Sequence, residues 1–284
     1  MPEPLPQGAW FQAPTCRALG LSLELRMRNT ARMLASGERQ ASERVLVELR
    51  AYLRGELVYS APRFGEIAPG GSLLIRQADL PAPAQDATDE ELLLVARVQR
   101  EGSRGAFFSQ EHQLVYTHAQ SRAQAHILYD QQPARPSAAR AAPIVFLMPK
   151  VWLGGGIATH VVVCNTWDVD VPTRQREPVR FSLLDQRGAE VAAWDHVFFY
   201  NEARTFDLGE KAGAAGGEGQ ARFFNLVGRG GSGMFVLFAL VHNTRSNHFA
   251  IEHSLPPLYY MDGAMDAVRE QGCDAALFRP GAGR

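Results

Sequence analysis

The chain contains few of the residues that mark the specialised classes of protein. It has three cysteines among 284 residues, and Cys16, Cys164 and Cys273 show neither a CxxC spacing nor a paired framework. This argues against a structural zinc site and against a disulfide scaffold. With 29 basic and 30 acidic residues, the formal net charge is −1. No general attraction to nucleic acid or to an anionic membrane is therefore expected.

Long apolar segments are also missing. No run approaches the roughly 20 residues that a membrane-spanning helix needs. Residues 1–14, MPEPLPQGAWFQAP, lack the charged and apolar regions of a secretory signal. The sequence therefore predicts a cytoplasmic protein without membrane insertion. Since 46% of the residues are hydrophobic, the chain can form globular cores, and its length suits two domains.

What the chain does contain is a series of short strand patterns. Leu21–Arg28, LSLELRMR, alternates apolar and polar residues with period two, as a half-buried strand does. Further apolar runs, such as Val45–Leu53 and 159–164, are bounded by glycine, proline and asparagine turn signals. Because no strand–helix–strand alternation is visible, the predicted fold class is all-β, built from antiparallel β-sandwiches. Cys164, inside one of these runs, is expected to be a small buried hydrophobe.

The strand and turn signals occur twice in the same order. Residues 237–260 repeat, in outline, residues 113–133: an apolar run ends in histidine, a polar link follows, and a second run closes at a proline. The matched pairs are His118 with His242, Ile127 with Ile251, Asn29 with Asn165, and Gly55 with Gly188. Four matches in one order predict a tandem duplication, with insertions in surface loops.

The predicted organisation follows from this duplication. It comprises an N-terminal arm (1–19), a first β-sandwich domain (20–133), a linker (134–143), a second β-sandwich domain (144–261) and a C-terminal tail (262–284) that contains a short helix. The linker, ARPSAARAAP, is rich in proline and alanine and poor in large apolar residues.

Candidate ligand-binding residues concentrate in the second domain. They are His242, His248, His253, Trp167 and Trp194. If 237–242 and 248–253 pair as a hairpin, His242 and His248 lie near its turn, close enough to share a ligand. Exposed tryptophans beside polar residues stack on sugars or anchor a partner, whereas buried ones fill a sandwich core.

No catalytic or metal-binding motif accompanies these residues. A closed zinc site needs four ligands, and the histidines lack a ligand spacing. The GxSxG motif of a serine nucleophile is absent from the sequence. Neither a metal nor a cofactor is predicted.

Two stretches of the first domain resemble the sensory rhodopsin transducer-like β-sandwich proteins. They are IAPGGSLLIRQADL (67–80) and LVYTHAQSRAQAHILYD (114–130), with weaker counterparts FDL (206–208) and LVHNTRSNHFAIEH (240–253). The resemblance implies a small cytoplasmic sandwich that self-associates and binds a partner protein or a ligand. That family has one domain, so a fused pair would replace part of an oligomer. No site residue is carried over.

We therefore expect a non-enzymatic binding protein that recognises a partner protein or a small ligand such as a carbohydrate, with self-association into a homo-oligomer. Nucleic acid is not an expected partner. Two alternatives stay open: a metal-dependent enzyme with His242, His248 and His253 as ligands, and a structural subunit whose sheet edges accept strands from neighbours.

Overall fold

The protein is described by a computed structural model for residues 9–29, 32–33, 39–40, 44–81, 90–100, 111–128, 145–166, 176–213, 219–230 and 234–253. Strands dominate these ranges, and the predicted all-β class is confirmed. The described helical structure comprises two short 3-10 turns and one five-residue helix, α1 (Leu208–Ala212). None of the described helices is long and apolar enough to span a bilayer. The predicted linker (134–143) and C-terminal helix (262–284) lie outside the described residues.

The first half of the chain forms a sandwich of two four-stranded antiparallel sheets. Its described strands are β1 (Ala9–Pro14), β2 (Leu21–Arg28), β3 (Arg32–Met33), β4 (Arg39–Gln40), β5 (Val45–Leu53), β6 (Glu56–Ile67), β7 (Ser72–Arg76), β8 (Leu92–Arg100), β9 (Glu111–His118) and β10 (Gln124–Leu128). Sheet I has the order β1-β8-β5-β6, and sheet II has the order β10-β9-β2-β7. Strands β3 and β4 pair only with each other among the described strands. The expected N-terminal arm contributes β1, an edge strand of sheet I.

The second half forms a sandwich of the same kind. Its described strands are β11 (Val145–Leu153), β12 (Ile157–Thr166), β13 (Arg176–Leu184), β14 (Glu190–Phe199), β15 (Glu202–Asp207), β16 (Arg222–Gly230), β17 (Met234–Asn243) and β18 (His248–His253). Sheet III has the order β11-β16-β13-β14, and sheet IV has the order β15-β12-β17-β18.

The two sandwiches have the same topology. When β11 to β18 are matched in chain order with β1, β2 and β5 to β10, sheet III reproduces sheet I and sheet IV reproduces sheet II. Among the described strands, none of the first half pairs with one of the second. The repeat seen in the sequence therefore extends to the connection of every matched strand. The domain boundaries at 133 and 144 lie outside the described residues and stay predictions.

Two buried asparagines, one directly after β2 and one within β12, make equivalent hydrogen bonds in the two copies. The side-chain amide of Asn29 donates to the backbone carbonyls of Ile67, at 3.0 Å, and Ala68, at 3.3 Å. That of Asn165 donates to the carbonyl of Phe199 at 3.2 Å. In both copies the acceptors lie at the start of the connection to the next strand, where a buried carbonyl needs a donor. The same residue is therefore required twice.

The two central strands of sheet IV, β12 and β17, are buried on both faces. Alternate residues of β12 and β17 divide between two hydrophobic clusters, as side chains of a strand must. The face toward sheet III carries Val161, Val163, Phe235, Leu237 and Ala239. The opposite face carries Val162, Cys164, Val236, Phe238 and Leu240, which join the core of the first sandwich. Cys164 is fully buried there, as predicted.

A tight glycine turn of the first sandwich lies against the second. Gly55, between β5 and β6, and Gly188, between β13 and β14, both have positive φ, at 75° and 78°. A Cβ atom on Gly55 would lie 2.6 Å from both the Phe199 Cβ and the Tyr200 carbonyl oxygen. A Cβ atom on Gly188 would meet no described atom within 4 Å. The two matched turns thus differ in their surroundings.

Alanine at each of these glycines tests the contact between the sandwiches. Both Gly55→Ala and Gly188→Ala place a Cβ in the left-handed region, which costs about 1–2 kcal/mol. Gly55→Ala should lower the free energy of unfolding by about 1–3 kcal/mol more, because its Cβ overpacks the interface. Urea denaturation of both variants measures the difference. Equal losses would show that the Gly55 turn does not contact the second sandwich.

Candidate functional site

The predicted histidine site lies on the β17–β18 hairpin, but the hairpin separates its members. His242 lies opposite Phe249 in the strand pairing, and His253 falls on the same face of the hairpin. His248, next to Phe249 in sequence, points to the other face and is exposed. His242 and His253 thus share a face but lie four strand positions apart, about 13 Å, too far to share one small ligand atom or ion. Trp167, the fourth predicted residue, lies outside the described residues.

His242 belongs to the contact between the two sandwiches. Its ring stacks on Phe249 with centroids 4.2 Å apart and planes 4° from parallel. Its Nε2 lies 2.8 Å from Asn247 Oδ1. The His118 ring of the first sandwich lies 5.3 Å from the same Phe249 ring. The phenyl ring is thus held between a histidine from each half.

A polar contact continues this junction at the hairpin turns. Ser121 Oγ, in the β9–β10 turn, donates to the Asn247 carbonyl in the β17–β18 turn at 2.9 Å. His118 Nδ1 lies 2.9 Å from the same Ser121 Oγ. The equivalent hairpins of the two copies therefore contact each other, and His118 and His242 belong to this contact.

The strand registers correct the sequence match of these hairpins by one residue. Leu21 of β2 pairs with His118, and Ile157 of β12 pairs with Asn243. Leu21 and Ile157 each lie eight residues before the matched asparagine, Asn29 or Asn165. With the asparagines superposed, His118 corresponds to Asn243 and not to His242. A shift of one residue exchanges the two faces of a strand. For this reason Phe249 and Ile251 face the first sandwich, whereas Ile127 faces its own core.

A buried carboxylate also joins the two halves. Glu91 is 6% exposed. One oxygen accepts from Thr15 Oγ1 and from the Arg17 backbone N–H, both at 3.0 Å, and the other accepts from Thr205 Oγ1 at 2.9 Å. Burial raises the pKa of Glu91 above its ordinary value, and these hydrogen bonds oppose the rise. A buried carboxylate must be hydrogen-bonded, and here three donors from the two sandwiches meet that need.

The described cysteines are unsuited to nucleophilic chemistry. Cys16 and Cys164 are free and fully buried. Burial raises the pKa of both thiols well above the ordinary value, and the nearby Glu91 charge raises it further. Because the thiolate is the reactive form, these thiols remain inert.

His160 lies beside a carboxylate, as does His196, whose Nε2 is 3.6 Å from Glu202 Oε1. The His160 Nδ1 lies 3.8 Å from Asp207 Oδ2. Burial lowers the pKa of His160, and the Asp207 charge opposes this shift. Asp207 already caps α1, because its Oδ1 accepts from the Gly209 and Glu210 backbone N–H groups. In the part of the chain that is described, no three His, Cys, Asp or Glu side chains form a metal-binding group.

The predicted Trp194 packs inside the second sandwich. Its ring stacks on Phe181 with centroids 5.2 Å apart and planes at 14°, and it also contacts Phe206 at 5.8 Å. Its indole N–H is buried with no hydrogen-bond partner among the described residues. Trp194 therefore lies where the core interpretation of the sequence places it.

A tryptophan that sequence reasoning missed is exposed instead. Trp152 of β11 is 40% exposed, and its ring lies 5.8 Å from the Phe223 ring of β16 at 63°. Its neighbours Val151 and Leu153 are buried. The sequence signal for this exposure was the triplet Val151-Trp152-Leu153 beside the glycine corner at 154–156. When the two apolar residues that flank a strand position face the core, the residue between them faces away from it.

Comparisons with known proteins yield no family. No protein-family model matches the chain, and no curated protein matches it. Thermotoga maritima 1070 aligns over 41% of this chain and 95% of its own, with 12% identity and a TM-score of 0.30. A glycosyl hydrolase family 2 member from Bacteroides cellulosilyticus aligns over 87% of this chain and 26% of its own, with 10% identity and a TM-score of 0.20.

A β-glucuronidase from Bacteroides uniformis aligns over 86% of this chain and 25% of its own, with 9% identity and a TM-score of 0.19. The chain thus spans about a quarter of the length of these hydrolases. Likenesses at this level carry no argument about ligand or activity. The resemblance to the sensory rhodopsin transducer-like proteins stays a prediction.

Phe249→Ala tests the junction between the hairpins. Removing a buried phenyl ring costs about 3–5 kcal/mol, and here the cavity would open between the two sandwiches. We expect faster hydrogen exchange in β9–β10 as well as in β17–β18. Ala250→Ser, on the exposed face of the same strand, is the matched control. If hydrogen exchange in β9–β10 were the same in Phe249→Ala as in the wild type, the proposed packing of Phe249 against the first sandwich would be contradicted.

Glu91→Gln tests the buried carboxylate through pH. The pKa of Glu91 is raised in the folded state from an ordinary value of 4.5, so the folded protein keeps the proton to higher pH than the unfolded chain. The stabilising contribution of the protonated group is complete below pH 4.5 and is lost as the pH rises through the folded-state pKa. Glu91→Gln should remove this decline from the pH profile of the unfolding free energy.

The control for this variant is Glu66→Gln, which makes the same chemical change at an exposed position. A Glu91→Gln profile with the wild-type slope would show that Glu91 is not the titrating group.

Proposed function

We propose that the chain is a non-enzymatic recognition protein that binds a carbohydrate through an aromatic pair on the outer surface of the second sandwich. The pair consists of Trp152 and Phe223 on the outer face of sheet III. The exposure of Trp152 is the observation that carries the proposal. Large aromatic side chains are usually buried, and an exposed ring beside polar groups suits the flat apolar face of a sugar.

The backbone under Trp152 is held firmly. The buried Thr159 hydroxyl accepts from the Trp152 N–H at 3.1 Å and donates to the Trp152 carbonyl at 2.6 Å. These bonds lie where β11 shifts register between Met148 and Val151. Because the backbone at Trp152 is already fixed, less conformational entropy would be lost when a ligand binds.

A polar side chain lies beside the aromatic pair. Asn225 is two residues beyond Phe223 on β16 and therefore shares its face of sheet III. Amide side chains supply the directional hydrogen bonds by which apolar sites select polar ligands. The combination of a stacking ring and an amide fits a hydroxyl-rich ring.

The arrangement of reactive side chains supports a role without catalysis. The described thiols are buried and neutral, and Asp207 caps a helix beside His160. The metal-enzyme alternative has no such support, because His248 faces away from His242 and His253. Recognition of a partner protein would use the same exposed aromatic surface. The sugar-binding experiment below distinguishes this function from carbohydrate binding.

Trp152→Ala tests the binding surface. Loss of a central aromatic anchor typically costs about 2 kcal/mol, or roughly 30-fold in affinity. Wild-type protein is screened on immobilised mono- and oligosaccharides, and each sugar that binds is titrated by calorimetry. We expect Trp152→Ala to weaken binding by that factor and Trp152→Phe to retain part of it.

The matched control is Leu57→Ala, which removes a side chain that is 48% exposed on the first sandwich. It should bind sugars like the wild type. Undiminished binding by a folded Trp152→Ala variant would contradict the site. Wild-type protein that binds no sugar would contradict the carbohydrate proposal.

A further inference from the structure

Beside helix α1, strand β14 forms an edge of sheet III. It runs from Glu190 to Phe199, and β13 is its only partner among the described strands. It contains neither proline nor glycine. Its single register shift lies at one end, between Leu183 and Leu184 of β13. A long and regular edge of this kind presents backbone donors and acceptors to another strand.

The other long edges are protected. Strand β6 contains Pro62 and Gly65 and has two register shifts. Strand β11 contains Pro149 and a register shift. Proline and bulges are the usual means by which proteins block edge pairing. Residues 192–199 of β14 contain neither a proline nor a register shift.

The register shows which backbone groups of β14 point outward. Val197 lies opposite Pro178, which has no N–H to donate. Two residues further on, the Phe199 N–H donates to Glu202 Oε2 and its carbonyl accepts from Asn165, both outside β13. Because the direction alternates along a strand, the N–H and C=O groups of 193, 195 and 197 point away from the sheet.

The side chains at these outward positions are exposed. Val197 is 48% exposed, and the Asp195 side chain is 75% exposed. Ala193 is small and exposed. Beyond the β13–β14 ladder, no backbone hydrogen bond to these three residues is found in the described part of the chain.

From this edge we infer that two copies of the chain form a dimer by antiparallel pairing of β14 with β14. A two-fold pairing centred on Trp194 sets Asp195 opposite Ala193 of the second copy, twice, and each of these pairs exchanges two N–H···O bonds. A pairing centred on Asp195 sets two carboxylates face to face, which is destabilising. One centred on His196 sets Val197 against Asp195. The Trp194-centred pairing avoids both conflicts.

The dimer would join two copies of sheet III into one eight-stranded sheet. Strand β11, which carries Trp152, is at the opposite edge from β14. The proposed ligand surface would stay open at both ends of the joined sheet. The inference does not depend on what that surface binds.

Cysteine cross-linking tests the pairing and its register. In a Cys273→Ser background, Ala193→Cys and Asp195→Cys proteins are oxidised separately and as a mixture. Opposed residues of a hydrogen-bonded pair lie about 5.5 Å apart at Cα, within disulfide range. We expect a linked dimer from the mixture only. A linked dimer from Asp195→Cys alone would overturn the stated register.

Sedimentation velocity tests the dimer itself. Wild-type protein should sediment as a dimer and Val197→Pro as a monomer, because proline removes an outward N–H that β13 does not use. Val197→Ala keeps that N–H and should stay dimeric. A monomeric wild type, as expected if another segment of the same chain covers the edge, would overturn the proposal. The proposal would also be overturned if Val197→Pro remained dimeric and the mixture of cysteine variants gave no cross-linked dimer.

Discussion

The double burial of β12 and β17, the central strands of sheet IV, is the constraint on which the rest of the structure depends. A strand that faces a core on both sides must be apolar at every position, and β12 and β17 meet this demand with the runs VVVC and FVLFAL. One face completes the second sandwich and the other completes the first. The two sandwiches are therefore joined through a common core, whatever the connecting segment contributes.

Polar groups at this junction are arranged to be compatible with burial. Glu91 is tolerated because donors from both halves reach it. Phe249 brings apolar area to the junction, and histidines from both halves cover its ring. His242, one of the three histidines that suggested a ligand site in the sequence, thus has a structural role. The exposed aromatic surface lies elsewhere, on the outer face of sheet III.

Much of the architecture could be predicted from the sequence, because its signals are local. Alternation in Leu21–Arg28 predicts a strand, and the repeated Asn29 and Asn165 mark one buried hydrogen bond in two copies. The register of the β17–β18 hairpin could not be predicted. Matching His118 with His242 is the better sequence alignment, yet the sheets align His118 with Asn243. Which face of a hairpin is buried depends on a partner that lies more than 100 residues away, and no local pattern reports it.

The apolar outer face of the second hairpin makes the second half dependent on its neighbour. Made alone, the second half would leave Phe238, Leu240 and Ile251 without cover. Such a surface promotes aggregation. The protein therefore cannot be shortened to its second half alone without redesigning a face of sheet IV.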